Sequence, residues 1–230
     1  MRTWLSPTGT VWAAAVGAAV AAGAGWRGFV LLLVFFVTSS LLSPGGGTRR
    51  PVQVLANGGV AALCALLVPW QPWAAGACAG ALAAAAADTW STEIGRRSRH
   101  APRMITTFTA VAAGTSGGIT TLGTLGGLAG AVVLALAAHL TGLATGRVAL
   151  AVAAAGFGGM LFDSLLGATL QVRWRCAGCG AVTETADHAC PEARLSRHSG
   201  LAWMTNDTVN LAATLVGSLG GALPQLLARG

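Results

Sequence analysis

The apolar residues of this chain come as long uninterrupted runs, and nothing else in the sequence limits its fold as strongly. A helix that faces water on one side repeats its apolar positions with a period near 3.6. A run that is apolar all round belongs in lipid or at the centre of a bundle. Only 9% of the 230 residues are Asp, Glu, Lys or Arg and 54% are hydrophobic, so the chain lacks the roughly one-quarter charged content with which soluble domains cover their surface. That excludes a disordered chain and a water-soluble globule. At about 20 residues per span, the expected architecture is all-α: a polytopic transmembrane helix bundle of about seven spans, within a range of six to eight, as one domain over residues 1–230.

The runs cover residues 8 to 24, 28 to 43, 53 to 69, 72 to 88, 118 to 141, 148 to 170 and 204 to 226. Ser43-Pro44-Gly45-Gly46-Gly47 and Pro69-Trp70-Gln71-Pro72 separate them with turn-forming residues. The stretch from Ile105 to Gly114 is too short to span and is expected to be re-entrant or interfacial, and residues 171–203 form a cytoplasmic loop containing Cys and His. The first run could imitate a secretory signal, with Arg2 before it; with so many spans following, it is expected to stay as the first helix.

A net charge of +7 would suggest nucleic acid in a soluble chain, but in a membrane chain the Arg residues flanking the spans set its orientation. No nucleic-acid partner is expected. All 14 basic residues are Arg and Tyr is absent, which together with the abundant Ala and Gly reads as the compositional bias of a GC-rich bacterial genome. With seven crossings, one side holds Arg2, Arg49, Arg50, Arg96, Arg97, Arg99, Arg103, Arg173, Arg175, Arg194 and Arg197, and the other holds Arg27, Arg147 and Arg229. The richer side is cytoplasmic by the positive-inside rule, which places the N-terminus inside a bacterial plasma membrane. All the acids, Asp88, Glu93, Asp163, Glu184, Asp187, Glu192 and Asp207, fall on that same side. The outer face is bare.

Four polar clusters lie at the cytoplasmic helix ends. Arg49 and Arg50 precede Gln53 and Asn57, which are four residues apart and share a helix face; such amides either orient a ligand or bond a neighbouring helix. Asp88 ends the fourth run, and Glu93 follows about 140° around an ideal helix, so the two share a site only if the helix ends or bends between them. The alternative is that Arg96 and Arg97 neutralise both. Gly114-Thr115-Ser116-Gly117-Gly118 can present backbone amides to an anion. It lacks the Lys of a Walker motif, and Gly123, Gly126, Gly127 and Gly130 beyond it suit helix packing. Asp163 lies about 10 Å inside the end of its run, where an unpaired carboxylate is costly, and is the strongest functional candidate. The last run opens with Asn206, Asp207 and Asn210, where Asp207 either joins the site or caps the helix. Carboxylates, Arg and a glycine loop at one boundary suit Mg²⁺ with a nucleotide or diphosphate.

The loop after the sixth run contains Cys176, Cys179, His188 and Cys190. The first pair has the spacing of a zinc knuckle, and four soft ligands within fifteen residues can close a structural Zn²⁺ site; the single residue between His188 and Cys190 departs from the usual gap. A disulfide is disfavoured in a reducing cytoplasm. Cys64 and Cys78 lie in apolar runs and read as small buried hydrophobes.

Several rare strings occur in order along most of the chain: Phe35-Phe36-Val37-Thr38-Ser39-Ser40-Leu41-Leu42, Gln53-Val54-Leu55-Ala56-Asn57-Gly58, Ala87-Asp88-Thr89-Trp90, Glu93-Ile94-Gly95, Gly114 to Gly118, Asp163-Ser164-Leu165-Leu166-Gly167-Ala168-Thr169-Leu170-Gln171, and Asn206-Asp207 with Asn210. Together they resemble the DUF92 family of membrane proteins, which includes transmembrane protein 19 and the plant phytyl-phosphate kinase of the tocopherol pathway. The Cys-rich loop also looks like the family's. The resemblance implies a kinase that converts an isoprenoid (phytyl or prenyl) monophosphate to the diphosphate, using Mg²⁺ and a nucleoside triphosphate, CTP or another. On this hypothesis Asp88 and Asp163 hold Mg²⁺, with Glu93 and Asp207 as further candidate ligands. Phosphate oxygens would meet Arg49, Arg50 and the Gly114 to Gly118 amides. Gln53, Asn57, Ser164, Gln171, Asn206 and Asn210 would orient the reactants. A phosphate acceptor is already ionised near neutral pH, so this chemistry needs positioning and charge neutralisation rather than a strong base. None of the four clusters contains a His. The rival readings are a prenyl or alcohol-phosphate transferase, which would want paired acid-rich motifs, and a transporter, which would want buried charge near the midplane and repeated halves.

Overall fold

The computed structural model describes residues 4–43, 48–185, 188–192 and 194–228. Arg2, Asp187, Arg229 and the Pro44 to Gly47 break lie outside the described residues. The described residues form six helices: α1 (Pro7–Leu42), α2 (Pro51–Leu67), α3 (Trp73–Gly95), α4 (Thr121–Leu140), α5 (Arg147–Thr169) and α6 (Asn206–Leu227). Three of them, α1, α4 and α5, are long and apolar enough to cross a membrane.

The first two predicted runs fall within α1, whose 36 residues are interrupted at Gly25, with φ 64° and ψ −161°. That is a left-handed backbone position which side-chain-bearing residues rarely adopt. The chain doubles back there: the Trp4 ring packs edge-on against Phe36 with centroids 5.7 Å apart, and Leu5 bridges to Arg49. The start of α1 therefore lies beside its own end. At the opposite end of the bundle, Arg27 donates to the Gly142 carbonyl at 3.4 Å, joining the bend of α1 to the connection after α4. Caps explain several helix starts, since Ser6 accepts from the Gly9 amide and Thr120 from the Gly123 amide.

The expectation of an all-α chain is corrected by five short strands. Residues 105–114, too short to span, form turns between β1 (Arg103–Met104) and β2 (Gly118–Ile119), which pair antiparallel. The expected Cys-rich loop contains a three-stranded antiparallel sheet in the order β4-β3-β5, made of β3 (Arg173–Cys176), β4 (Val182–Thr183) and β5 (Leu195–Ser199).

α3 is the axis of the structure and packs against each of the other five helices. Its residues Ala77 to Ala87 are all buried, and almost all are Ala or Gly. Small side chains let neighbouring backbones approach, which is how helices associate where no hydrophobic effect separates them from lipid. Gly76 and Gly80 of α3 face Gly217 and Gly221 of α6 so closely that a Cβ on any of the four would run into a carbonyl oxygen opposite. Gly123, Gly127 and Gly130 of α4 meet the α3 backbone, and Gly126 meets Ile94, as helix packing requires. Large residues point the other way: Leu122, Leu125, Leu136 and Leu140 of α4, and Leu211, Leu215, Leu219 and Leu223 of α6, are exposed. With small residues inside and leucines outside, the bundle is built for a lipid surround. Buried polar contacts add to the packing, with the Thr214 hydroxyl donating to the Ala56 carbonyl at 3.1 Å.

This contact makes a direct prediction. Gly80→Ala should cost about 1–3 kcal/mol through overpacking, whereas Gly158→Ala, where a Cβ meets nothing within 4 Å, should stabilise its helix by up to about 1 kcal/mol. Thermal melts in detergent report both, and equal melting temperatures would contradict the α3–α6 contact.

Candidate functional site

The predicted fourth run ends at residue 88, but α3 continues unbroken to Gly95. Asp88 therefore sits about 10 Å below the helix end, at 1.5 Å per residue, and Asp163 about 9 Å below the end of α5. The two carboxylates are thus at matching depth. Both line one cavity of about 740 Å³ and are near enough to interact electrostatically. The cause lies one turn deeper: a Cβ on Gly159 would stand 2.7 Å from the Ala84 Cβ and 2.8 Å from the Ala213 carbonyl oxygen. Gly159 and Ala84 each precede an Asp by four residues, so the approach that Gly159 permits turns Asp163 toward Asp88. With its amide oriented to satisfy its neighbours, Asn210 donates to Asp163 Oδ2 at 3.0 Å and to the Asn206 carbonyl at 3.3 Å. Ser164 also faces this cavity, as do Arg96, Arg99 and His100, whose place there the sequence reading missed.

A second chamber of about 300 Å³ adjoins the first through Asp88, Thr92, Arg96 and Asn206, and is walled by Arg49, Gln53 and Glu93. Arg49 is held in place from several directions. It donates to Ser40 Oγ at 2.6 Å, its guanidinium stands 5.6 Å from the Phe36 ring centroid, and its backbone amide donates to the Trp4 carbonyl. Burial lowers its pKa from the ordinary value, opposed by the charge of Glu93. Among the described residues it forms no ion pair. Glu93 itself pairs with Arg96 at 3.1 Å.

Other candidates are engaged locally. Gln53 Oε1 accepts the Arg50 amide at the start of α2, and Asn57 donates to the Gln53 carbonyl at 3.0 Å. Asp207 lies 3.7 Å from Arg50, and the helix cap is Thr205 rather than Asp207.

An apolar groove of about 400 Å³ runs between the two arms of α1 and the start of α2, along Ala14, Gly17, Leu32, Phe35 and Gly58. It meets the second chamber at Arg49, Gln53 and Thr89, which border both. Asn57 faces the groove rather than either polar chamber. The apolar slot, the smaller chamber and the cavity of the paired acids thus adjoin in series through shared wall residues.

The glycine loop forms a wall of the larger cavity from Gly114 to Gly118. Gly114 and Gly117 have φ of 86° and 81°, and Gly117 packs so tightly on Ala168 that a Cβ would meet its backbone at 2.6 Å. Yet the Ser116 donors are taken. Its amide donates to Glu184 Oε1 at 3.0 Å and its hydroxyl to Glu184 Oε2. Gln171, 4% exposed, donates to both Ser116 and Glu184, and Arg173 donates to the Ser116 carbonyl at 3.0 Å. Gln171 thus serves the loop rather than reaching into the cavity, and the carboxylate of Glu184 holds the place of an anion at Ser116. A pairing across 68 residues leaves no local signal in the sequence.

Beyond the sheet, Cys176, Cys179, His188 and Cys190 come together with their ligand atoms all within 4.8 Å of one another. The Cys176 thiol is held down to about 6, chiefly by a hydrogen bond from the Cys179 backbone, against the opposing effect of burial. Cys78 is buried among apolar residues and Cys64 is half-buried beside Ser218.

A sequence model of the integral membrane protein family DUF92 matches residues 43–218. Protein PGR from Arabidopsis thaliana is 34% identical over 85% of this chain and 80% of its own length. An uncharacterized membrane protein from Synechocystis sp. is 28% identical over 93% of this chain and 80% of its own length, and one from Methanocaldococcus jannaschii is 32% identical over 86% and 76%. No solved structure matches the chain.

Proposed function

The chain belongs to the DUF92 family of integral membrane proteins, and we propose that it is a membrane-embedded kinase that phosphorylates an isoprenoid monophosphate to the diphosphate. The observation that carries this reading is that the apolar groove adjoins the acid-lined chamber, the two sharing Arg49, Gln53 and Thr89 as wall residues. An amphiphile with a long hydrocarbon tail and an anionic head matches that arrangement. The tail fits among Gly17, Leu32 and Phe35, and its phosphate reaches Arg49, a desolvated cation in no ion-pair contact among the described residues. The larger cavity, within the range of small-ligand sites, takes the nucleoside triphosphate beside Arg96, Arg99, His100 and the loop from Gly114 to Gly118.

The donor set suits a hard cation: Asp88 and Asp163 are carboxylates in a cavity wide enough to leave room for water and phosphate oxygens. Bound there, Mg²⁺ would neutralise charge on the transferring phosphoryl group. Asn210 orients Asp163 by donating to one carboxylate oxygen. An oxygen of the acceptor phosphate forms the new bond to the terminal phosphorus while the bond to the nucleoside diphosphate breaks. The acceptor needs no general base, so Arg49 and Arg96 act by holding charge in place.

For orientation, we read α1 as two crossings and the chain as seven, with the acid-bearing face in the cytoplasm of a bacterial cell. An impermeant thiol reagent applied to intact cells should label Thr145→Cys and spare Ala202→Cys, both exposed positions; the opposite pattern would overturn the orientation.

The purified protein, given phytyl, farnesyl or geranylgeranyl phosphate with Mg²⁺ and a panel of nucleotides, should form a diphosphate. Asp163→Asn should lower kcat by about 10²-fold or more. Absence of turnover with every combination rejects the kinase, and solute movement without a chemical product would favour a transporter. Gly17→Leu, which narrows the groove, should raise KM for a twenty-carbon substrate far more than for a ten-carbon one. Equal effects on both would remove the groove from the reading.

A further inference from the structure

The chain carries a second constellation that the kinase reading does not use. Cys176 ends β3, Cys179 lies in the turn toward β4, and His188 and Cys190 follow β4. Their four ligand atoms lie within 4.8 Å of one another, with Cys179 Sγ and His188 Nε2 at 3.0 Å. A tetrahedral Zn²⁺ with three sulfurs and one imidazole has ligand-to-ligand edges of about 3.6–3.8 Å, so an ion fits after small side-chain adjustments.

The turn is shaped for this. The Gly180 amide donates to the Cys176 carbonyl at 2.8 Å, the Cys176 amide donates to the Ala181 carbonyl, and Gly180 has φ 73°. A Cβ on Gly178 would meet the Glu192 carbonyl at 2.7 Å and Cys190 Sγ at 3.2 Å, so the absence of a side chain there lets the second half of the site close over the first. All three cysteines are free thiols.

The same hairpin reaches the glycine loop. Glu184 directly follows β4 and Arg173 begins β3, and these are the residues that grip Ser116. β4 is the short edge strand of this three-stranded sheet and is joined to β3 by only two register pairs, so strand pairing alone holds that edge weakly. A metal closing the turn would supply what so few strand pairs do not.

We propose that Cys176, Cys179, His188 and Cys190 bind one Zn²⁺, and that this ion fixes the β3–β4 hairpin that keeps Glu184 on Ser116. The site is structural, with four protein ligands and no open position, and its existence does not depend on the kinase reading.

Elemental analysis of the purified full-length chain should find one zinc per chain, and Co²⁺ exchanged into it should give thiolate charge-transfer bands with tetrahedral d–d absorption. Cys179→Ser and His188→Ala should lose most of the metal. Removing zinc from the unmodified chain with a chelator should speed hydrogen exchange at the Ser116 amide at least tenfold, and readding Zn²⁺ should restore protection. A chain that holds no zinc after supplementation, or that carries a disulfide among these cysteines, overturns the site. A metal that binds but leaves Ser116 exchange unchanged overturns its role at the glycine loop. None of these readouts requires turnover, so the site and the kinase can fail separately.

Discussion

The close approach of backbones along α3 is the constraint on which the rest of this structure depends. A helix whose buried face is nearly all Ala and Gly contributes few side-chain contacts of its own, yet it brings five other helices within reach of one another. Gly76, Gly80, Gly217 and Gly221 seat α6 against it, and Gly156 and Gly159 seat α5. The two aspartates are placed by this packing rather than by any loop. Each lies one turn beyond a position where backbones nearly touch, so their facing follows from the geometry that holds the bundle together. Stability and site geometry therefore share the same residues.

The site also shows how a membrane protein with very few charges can assemble a polar chamber. Arg49 stands near a helix start, fixed by Ser40, Phe36 and the Trp4 backbone, and lines the smaller chamber, while Asp88 from α3 borders both chambers and Asp163 from α5 lines the larger. The glycine loop is already occupied by the Glu184 carboxylate just after β4, with Gln171 and Arg173 adding hydrogen bonds and one ion pair at 3.7 Å. Buried polar groups are tolerable when satisfied in this way. It follows that the loop's shape is kept by the protein itself.

The helical runs were legible in the sequence because membrane helices are defined by continuous apolar length, and even the interruption near Gly25 is visible as a gap between two runs. The convergence of Asp88 and Asp163 was legible because an ionisable residue near the end of such a run is rare enough to stand out. The true end of α3 was not, since Thr89-Trp90-Ser91-Thr92-Glu93 is polar without being helix-breaking. Nor was the pairing of Gly76 and Gly80 with Gly217 and Gly221, because small residues abound in every run and only the fold says which pairs meet. Ser116 and Glu184 are joined by a sheet whose strands are two to five residues long, too short to leave a periodic pattern. The Cys and His residues announced a cluster by their chemistry, while the hairpin that gathers them did not.

The groove between the arms of α1 has a consequence for how binding of the proposed lipid substrate would be measured. Ala14, Ala18 and Leu33 line it and are also exposed, so in the seven-crossing orientation proposed above the slot opens sideways into lipid rather than toward water. A molecule arriving there need not leave the bilayer, and its concentration is then a mole fraction among lipids. Diluting the membrane with inert lipid would lower occupancy at constant total amount, while diluting the suspension with buffer would not. For such a site, affinity is counted per lipid and not per litre.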